Sequence, residues 1–241
     1  MRATNRLGIF LVLMTIAMAA MAGGTAFAGG TITGKVAFEG TVPTPQPINF
    51  GAEKQCAAMH GDKMPVNEDL VVNPNNTVKG VLVYVKEGAT GQYAAPAEAV
   101  EMDQKGCMFV PHAVALMAGQ KINFRNSDAV LHNVRSASKV NRPFNIAQPI
   151  QGMTTTKMFS QPEIGIQMRC DVHFWMKGYI HVLANPFFAV TGDDGSFTIK
   201  DLPAGNYTLE VLHETLGAQT QSLALSEGES KEANFSLKKA S

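Results

Sequence analysis

Cys170, His173 and Met176 place a thiol, an imidazole and a thioether within seven residues, in the run Arg169-Cys170-Asp171-Val172-His173-Phe174-Trp175-Met176. The run lies at the exit of one alternating segment and the entry of another. An extended strand holds its side chains too far apart to converge on one ion, whereas a short loop between strands can curl them inward. Thiolate, imidazole and a weakly held thioether are the soft donors of copper sites that stay near one geometry in both oxidation states. Such a set needs a second imidazole from elsewhere in the chain. His132, in Leu131-His132-Asn133-Val134, is the candidate.

The segments that must position these donors read as strands. In residues 31–38, Ile32, Val36 and Phe38 share one face and Thr31, Thr33 and Lys35 the other, the period-two pattern of a half-buried strand. Residues 81–85 are apolar on both faces and read as a central strand. Short strands then follow at turn-marked spacing over 107–110, 112–117, 121–125, 152–159 and 164–169. In the last of these Ile164, Ile166 and Met168 alternate with Gly165, Gln167 and Arg169, so parity sends the Cys170 sulfur inward. Further strands are expected at 187–191, 196–200 and 207–212, and two more centre on Leu223-Ala224-Leu225 and Phe235-Ser236-Leu237. No segment of useful length has a helical period. The fold class is all-β, a sandwich or Greek key.

The first 28 residues are expected to be a cleaved export signal: Arg2 and Arg6, an apolar run to about Ala22, then the small-x-small pattern Ala26-Phe27-Ala28. Without Arg2 and Arg6, the balance of 20 basic and 20 acidic residues becomes a net charge of about −2. Such near-neutrality argues against nucleic acid or anionic membrane as a partner bound through bulk charge. The mature chain is expected in the periplasm, with no membrane insertion. Three cysteines in an exported chain suggest one disulfide and one free thiol. Cys170 has the metal-ligand neighbours, which leaves Cys56 and Cys107 as the pair.

Two family resemblances sit on these residues. The segment from about 97 to 183 resembles the cupredoxins, specifically periplasmic cupredoxin-domain proteins of the methylamine-utilisation type. Val110-Pro111, Ala118-Gly119-Gln120-Lys121-Ile122-Asn123-Phe124, Asn126, Asp128, Leu131-His132-Asn133-Val134 and the Cys170 loop carry it. Gly192-Asp193-Asp194-Gly195 through Leu212 resembles a carboxypeptidase regulatory-like, transthyretin-type sandwich. The first resemblance implies a Greek-key cupredoxin sandwich with one type 1-like copper ion held by His132, Cys170, His173 and Met176. It also implies that Asn133, just outside the ligand set, ties the ligand strands together. The second implies a smaller sandwich, expected as a discontinuous domain over 29–95 and 186–241 with the cupredoxin inserted at 97–185. The His173-to-Met176 gap is shorter than is usual in blue-copper proteins, leaving Met176 either the axial ligand or a cap on the core.

The function these readings imply is single-electron transfer between periplasmic redox partners that dock transiently. The edge of His173 is the expected exit, with Phe174 and Trp175 as an apolar collar or as packing under the loop. Rival readings are a copper carrier or store and a metal-free binding module. No enzyme is expected: no nucleophile elbow, phosphate loop or carboxylate pair appears, and three protein donors plus a methionine leave no open position for substrate. His112, His181 and His213 read as structural, His60 as solvent-exposed, and Asp193 and Asp194 as turn formers.

Overall fold

A computed structural model describes residues 28–239 of the chain. The expected export signal lies almost entirely outside the described residues. What is described is all-β, with nineteen strands and one five-residue helix, Lys54–Ala58.

Both ends of the described chain build one core. Strand Gly30–Glu39 pairs antiparallel with Ser196–Leu202 and parallel with Ser230–Glu232 and Phe235–Lys238. Facing it is a sheet ordered Phe188–Val190, Leu82–Glu87, Gly205–His213, Gly217–Leu225. The inward alternation of Ile32, Val36 and Phe38 meets Val83, Val85, Leu209 and Val211 between the two sheets. The burial follows the period-two pattern, since successive side chains of a strand point to opposite faces.

The middle of the chain builds a second core. Its first sheet runs Asn145–Gln148, His132–Ser136, Glu163–Arg169, Lys177–Leu183, Ala113–Met117. Its second runs Thr154–Met158, Lys121–Asn126, Val100–Gln104, Phe109–Val110. Phe109, Phe124, Ile122, Met102, Ile166, Met168 and Ile180 fill the space between them. The two cores meet where Leu82 and Tyr84 pack against Leu183 and Ala115. This explains why residues 81–85 are apolar on both faces: one face fills the first core and the other covers the neighbouring sandwich.

Three local readings need correction. Cys107 is not in a strand: it turns with φ +55°, next to Gly106 at φ +64°, and the strand begins at Phe109. Ile164 is not on the buried face, because an irregularity between Glu163 and Ile166, with Gly165 at φ +77°, shifts the register before Ile166 restores it. Finally, the strand Gly217–Leu225 is nine residues long, well beyond the apolar triplet at its end. Its outer positions are mostly exposed and polar, so a hydrophobic pattern marks only where it enters the core.

Candidate metal centre

His132 begins a central strand, and Cys170 follows the neighbouring strand that pairs with it. The loop from Cys170 closes on itself, with the Met176 N–H donating to the His173 carbonyl (2.9 Å) and the Cys170 N–H to the Met176 carbonyl (3.3 Å). This tight closure turns His173 back under the loop. Nδ1 of His173 lies 3.6 Å from the Cys170 sulfur and 3.0 Å from Nδ1 of His132. One ligand atom from each of His132, Cys170 and His173 lies within 4.8 Å of the others, and all three side chains are buried. Met176 is buried in the same core.

Asn133 fastens the two ligand segments. Its backbone N–H points to the Cys170 sulfur at 3.5 Å, and its side-chain oxygen accepts from the N–H groups of Asp171 (2.5 Å) and Val172 (3.3 Å). Its amide nitrogen donates to Asn145 at 2.6 Å, on the adjacent strand.

Asp128 has a role that the strand pattern does not reveal. Its carboxylate accepts the N–H groups of Gly106 and Cys107, each at 2.8 Å, and lies 2.9 Å from Nε2 of His132. The acceptor-only carboxylate assigns the proton to Nε2. In the neutral ring, Nδ1 of His132 therefore presents a bare lone pair to Nδ1 of His173. A proton on Nδ1 of His173, or a cation between the two nitrogens, satisfies that lone pair. The local signal for this role is a carboxylate four residues before a histidine. That spacing carries no pattern when it falls in a loop rather than on a helix.

The electrostatics favour positive charge at the same point. Burial pushes the Cys170 thiol up, but the neighbouring His132, when protonated on both nitrogens, together with His173 and the Asn133 amide pulls it further down, to about 6. The sulfur is thus largely thiolate at neutral pH, the form that binds metal. For His132, burial acts downward and is outweighed by Asp128 and Cys170, so its pKa is raised. Burial acts upward on Asp128 and is outweighed by His132 and the two backbone amides, so its pKa is lowered.

His173 does not present an edge to solvent. It is 2% exposed, and its Nε2 meets the sulfur of Cys56 at 3.6 Å. Cys56 and Cys107 form a disulfide that sits over the ring. The cover comes from the 48–60 segment, which leaves the first sandwich and buries Phe50 and Cys56 in the second core. Phe50 packs edge-on to Trp175 and stacks on His60, whose Nε2 is 2.8 Å from the Gly106 carbonyl. His60 is accordingly half-buried rather than solvent-exposed. Trp175 donates its indole N–H to the Cys107 carbonyl at 3.0 Å, while Phe174 is 81% exposed.

The other histidines take structural positions. His112 pairs with Glu214 at 2.7 Å, Nδ1 of His213 accepts from Thr215, and Nδ1 of His181 accepts from Gly165. Asp194 caps its turn by accepting the N–H and hydroxyl of Ser196.

No family model matches the chain, and no curated protein matches it. Among solved structures, it is similar to a copper-containing nitrite reductase from Thermus scotoductus, at 22% identity and a TM-score of 0.35. That match covers 42% of this chain and only 26% of the reductase. A purple cupredoxin from Nitrosopumilus maritimus matches at 18% identity and 0.31, over 35% of this chain and 99% of its own. Amicyanin from Paracoccus versutus matches at 18% and 0.32, over 42% and 97%. Among the described residues, no helix is long and apolar enough to cross a membrane.

Proposed function

We propose that the chain is an exported, periplasmic copper protein that passes single electrons between redox partners, with one ion held by His132, Cys170, His173 and Met176. The observation that carries this reading is the buried meeting of two imidazole Nδ1 atoms and a thiolate-forming sulfur, with Asp128 holding the proton of His132 on the far side of the ring. When bound, the ion supplies a Cu(II)/Cu(I) couple, and this soft, mixed donor set suits both states. The chain's own work is to fix the donors and keep water away. Asn133 holds the loop to the strand, Asp128 sets the tautomer, and the disulfide shields the outer edge of His173. In this reading the exposed Phe174 ring is the contact point for a partner. Trp175 lies 5.3 Å from it and 5.2 Å from His173, ring centre to ring centre, giving an aromatic route inward. We assign the core of the chain's ends to a discontinuous sandwich, 29–95 and 186–241, and 97–185 to the inserted cupredoxin.

Titrating Cu(II) into the mature protein is expected to produce an intense thiolate-to-copper absorption at one equivalent, absent from Cys170→Ser. A colourless wild-type protein with no stoichiometric copper would sink the proposal. The burial of His173 gives a copper carrier or store some support, since a closed site also retains metal. Repeated reduction and reoxidation without copper loss separates electron transfer from that alternative.

Asp128→Asn tests the proton-holding role. The change removes a charged acceptor from two amides and from His132, and copper affinity is expected to fall roughly 10- to 100-fold. Competition with a chelator of known affinity measures the fall. Unchanged affinity would show that backbone packing alone orients His132.

A further inference from the structure

Cys56 and Cys107 bring a second set of soft donors against the other side of His173. Their two sulfurs and a ring nitrogen of His173 lie within 4.8 Å of one another, and all three residues are buried. The two nitrogens of His173 face different partners: Nδ1 looks toward His132 and Cys170, and Nε2 toward Cys56 at 3.6 Å. The two cysteines are also held unequally. Cys107 sits at φ +55°, its N–H bound by Asp128 and its carbonyl by the Trp175 indole. A positive φ is unfavourable for a residue with a side chain, so this position depends on those fixed partners and not on the S–S bond alone. Cys56, by contrast, lies in a five-residue helix with no side-chain cap, most of whose other residues are exposed.

We infer that reducing this disulfide creates a second metal site, in which the Cys56 and Cys107 thiolates bind one Cu(I) ion, with His173 Nε2 at its edge. Soft thiolates select monovalent copper. Metal–thiolate bonds of about 2.3 Å require the sulfurs to separate to roughly 4 Å. Movement of the weakly held Cys56 helix supplies that separation, while Cys107 stays anchored. The chemistry balances with a tertiary phosphine as reductant: the S–S bond breaks, the phosphine takes oxygen from water to become its oxide, and two thiols remain. One Cu(I) then displaces the two thiol protons as two Cu–S bonds form, and no electron is transferred in that step.

The inference goes beyond the first site and is tested with that site disabled. Mature Cys170→Ser protein is prepared oxidised, and separately reduced with a phosphine that is then removed by gel filtration. Both are titrated anaerobically with Cu(I) against a chromogenic chelator. The reduced form is expected to retain one more equivalent of Cu(I) than the oxidised form, with native circular dichroism. Copper-edge X-ray absorption should show two sulfur neighbours. Equal uptake by the two forms, uptake with loss of the native spectrum, or a shell of nitrogen and oxygen alone would overturn it. Failure here with an intact thiolate-to-copper band in the wild type would leave the first site standing.

Discussion

Removing the Cys56–Cys107 disulfide, as Cys56→Ala with Cys107→Ala, is expected to destabilise the fold by about 4 kcal/mol. The bond closes a loop with a sequence separation of 51, and constraining such a loop in the unfolded chain is worth about that much in the chain-entropy account. At this chain length the loss corresponds to a fall in Tm of roughly 8–16 °C. Typical domain stabilities of about 5–15 kcal/mol mean that the native fold should survive it. The local consequence should be largest in the cover over His173. The stacking of Phe50 on His60 and its edge contact with Trp175 remain, but the covalent tie to the second core does not. Calorimetry of the variant and of phosphine-reduced wild type measures the fall. Hydrogen exchange should rise first in residues 48–60. A Tm change below about 3 °C in both samples would mean that the unfolded loop is already compact and that closure contributes little.

The candidate site is readable from local pattern wherever one strand determines the outcome. Parity along the strand before Cys170 requires its sulfur to face inward, and Cys170 is buried. That inference holds even though Ile164 breaks it earlier in the same strand, because the irregularity at Gly165 ends before Ile166. The pairing of Leu82–Glu87 with strands on either side is likewise written in an apolar run that has no polar face. The burial of His173 is not readable, because its cover arrives from a distant part of the sequence. The helix that carries Cys56 has five residues, too few to show an amphipathic period. The export signal, by contrast, rests on the sequence alone.

Acidification is expected to weaken the junction between the two sandwiches, through His181. This side chain is 5% exposed on the strand Lys177–Leu183, and burial depresses its pKa from 6.5 to about 4; Glu214 acts upward and His213 downward. Its Nδ1 accepts the Gly165 N–H at 3.2 Å, a role that an imidazolium cannot play. The sign follows from the depressed value. Above pH 6.5 neither the folded nor the unfolded state carries the proton, and the stability is fully present. As pH falls below 6.5 the unfolded chain binds a proton that the folded chain refuses until about pH 4. The stability lost from this one group is about 2 kcal/mol at about pH 5 and about 3 kcal/mol at about pH 4. His213, also buried and also depressed, adds to the loss in the same direction, while the His112–Glu214 pair continues to bridge the two sandwiches. Unfolding free energies of wild type and His181→Gln, measured at about pH 7.5 and about pH 5, should converge as pH falls, because the variant lacks the titrating ring. The protection factor of the Gly165 amide, its exchange rate corrected for the intrinsic pH dependence, should fall at the lower pH only in the wild type. Parallel pH profiles for the two proteins would place the acid sensitivity elsewhere, in a group whose charge the fold tolerates less than this one.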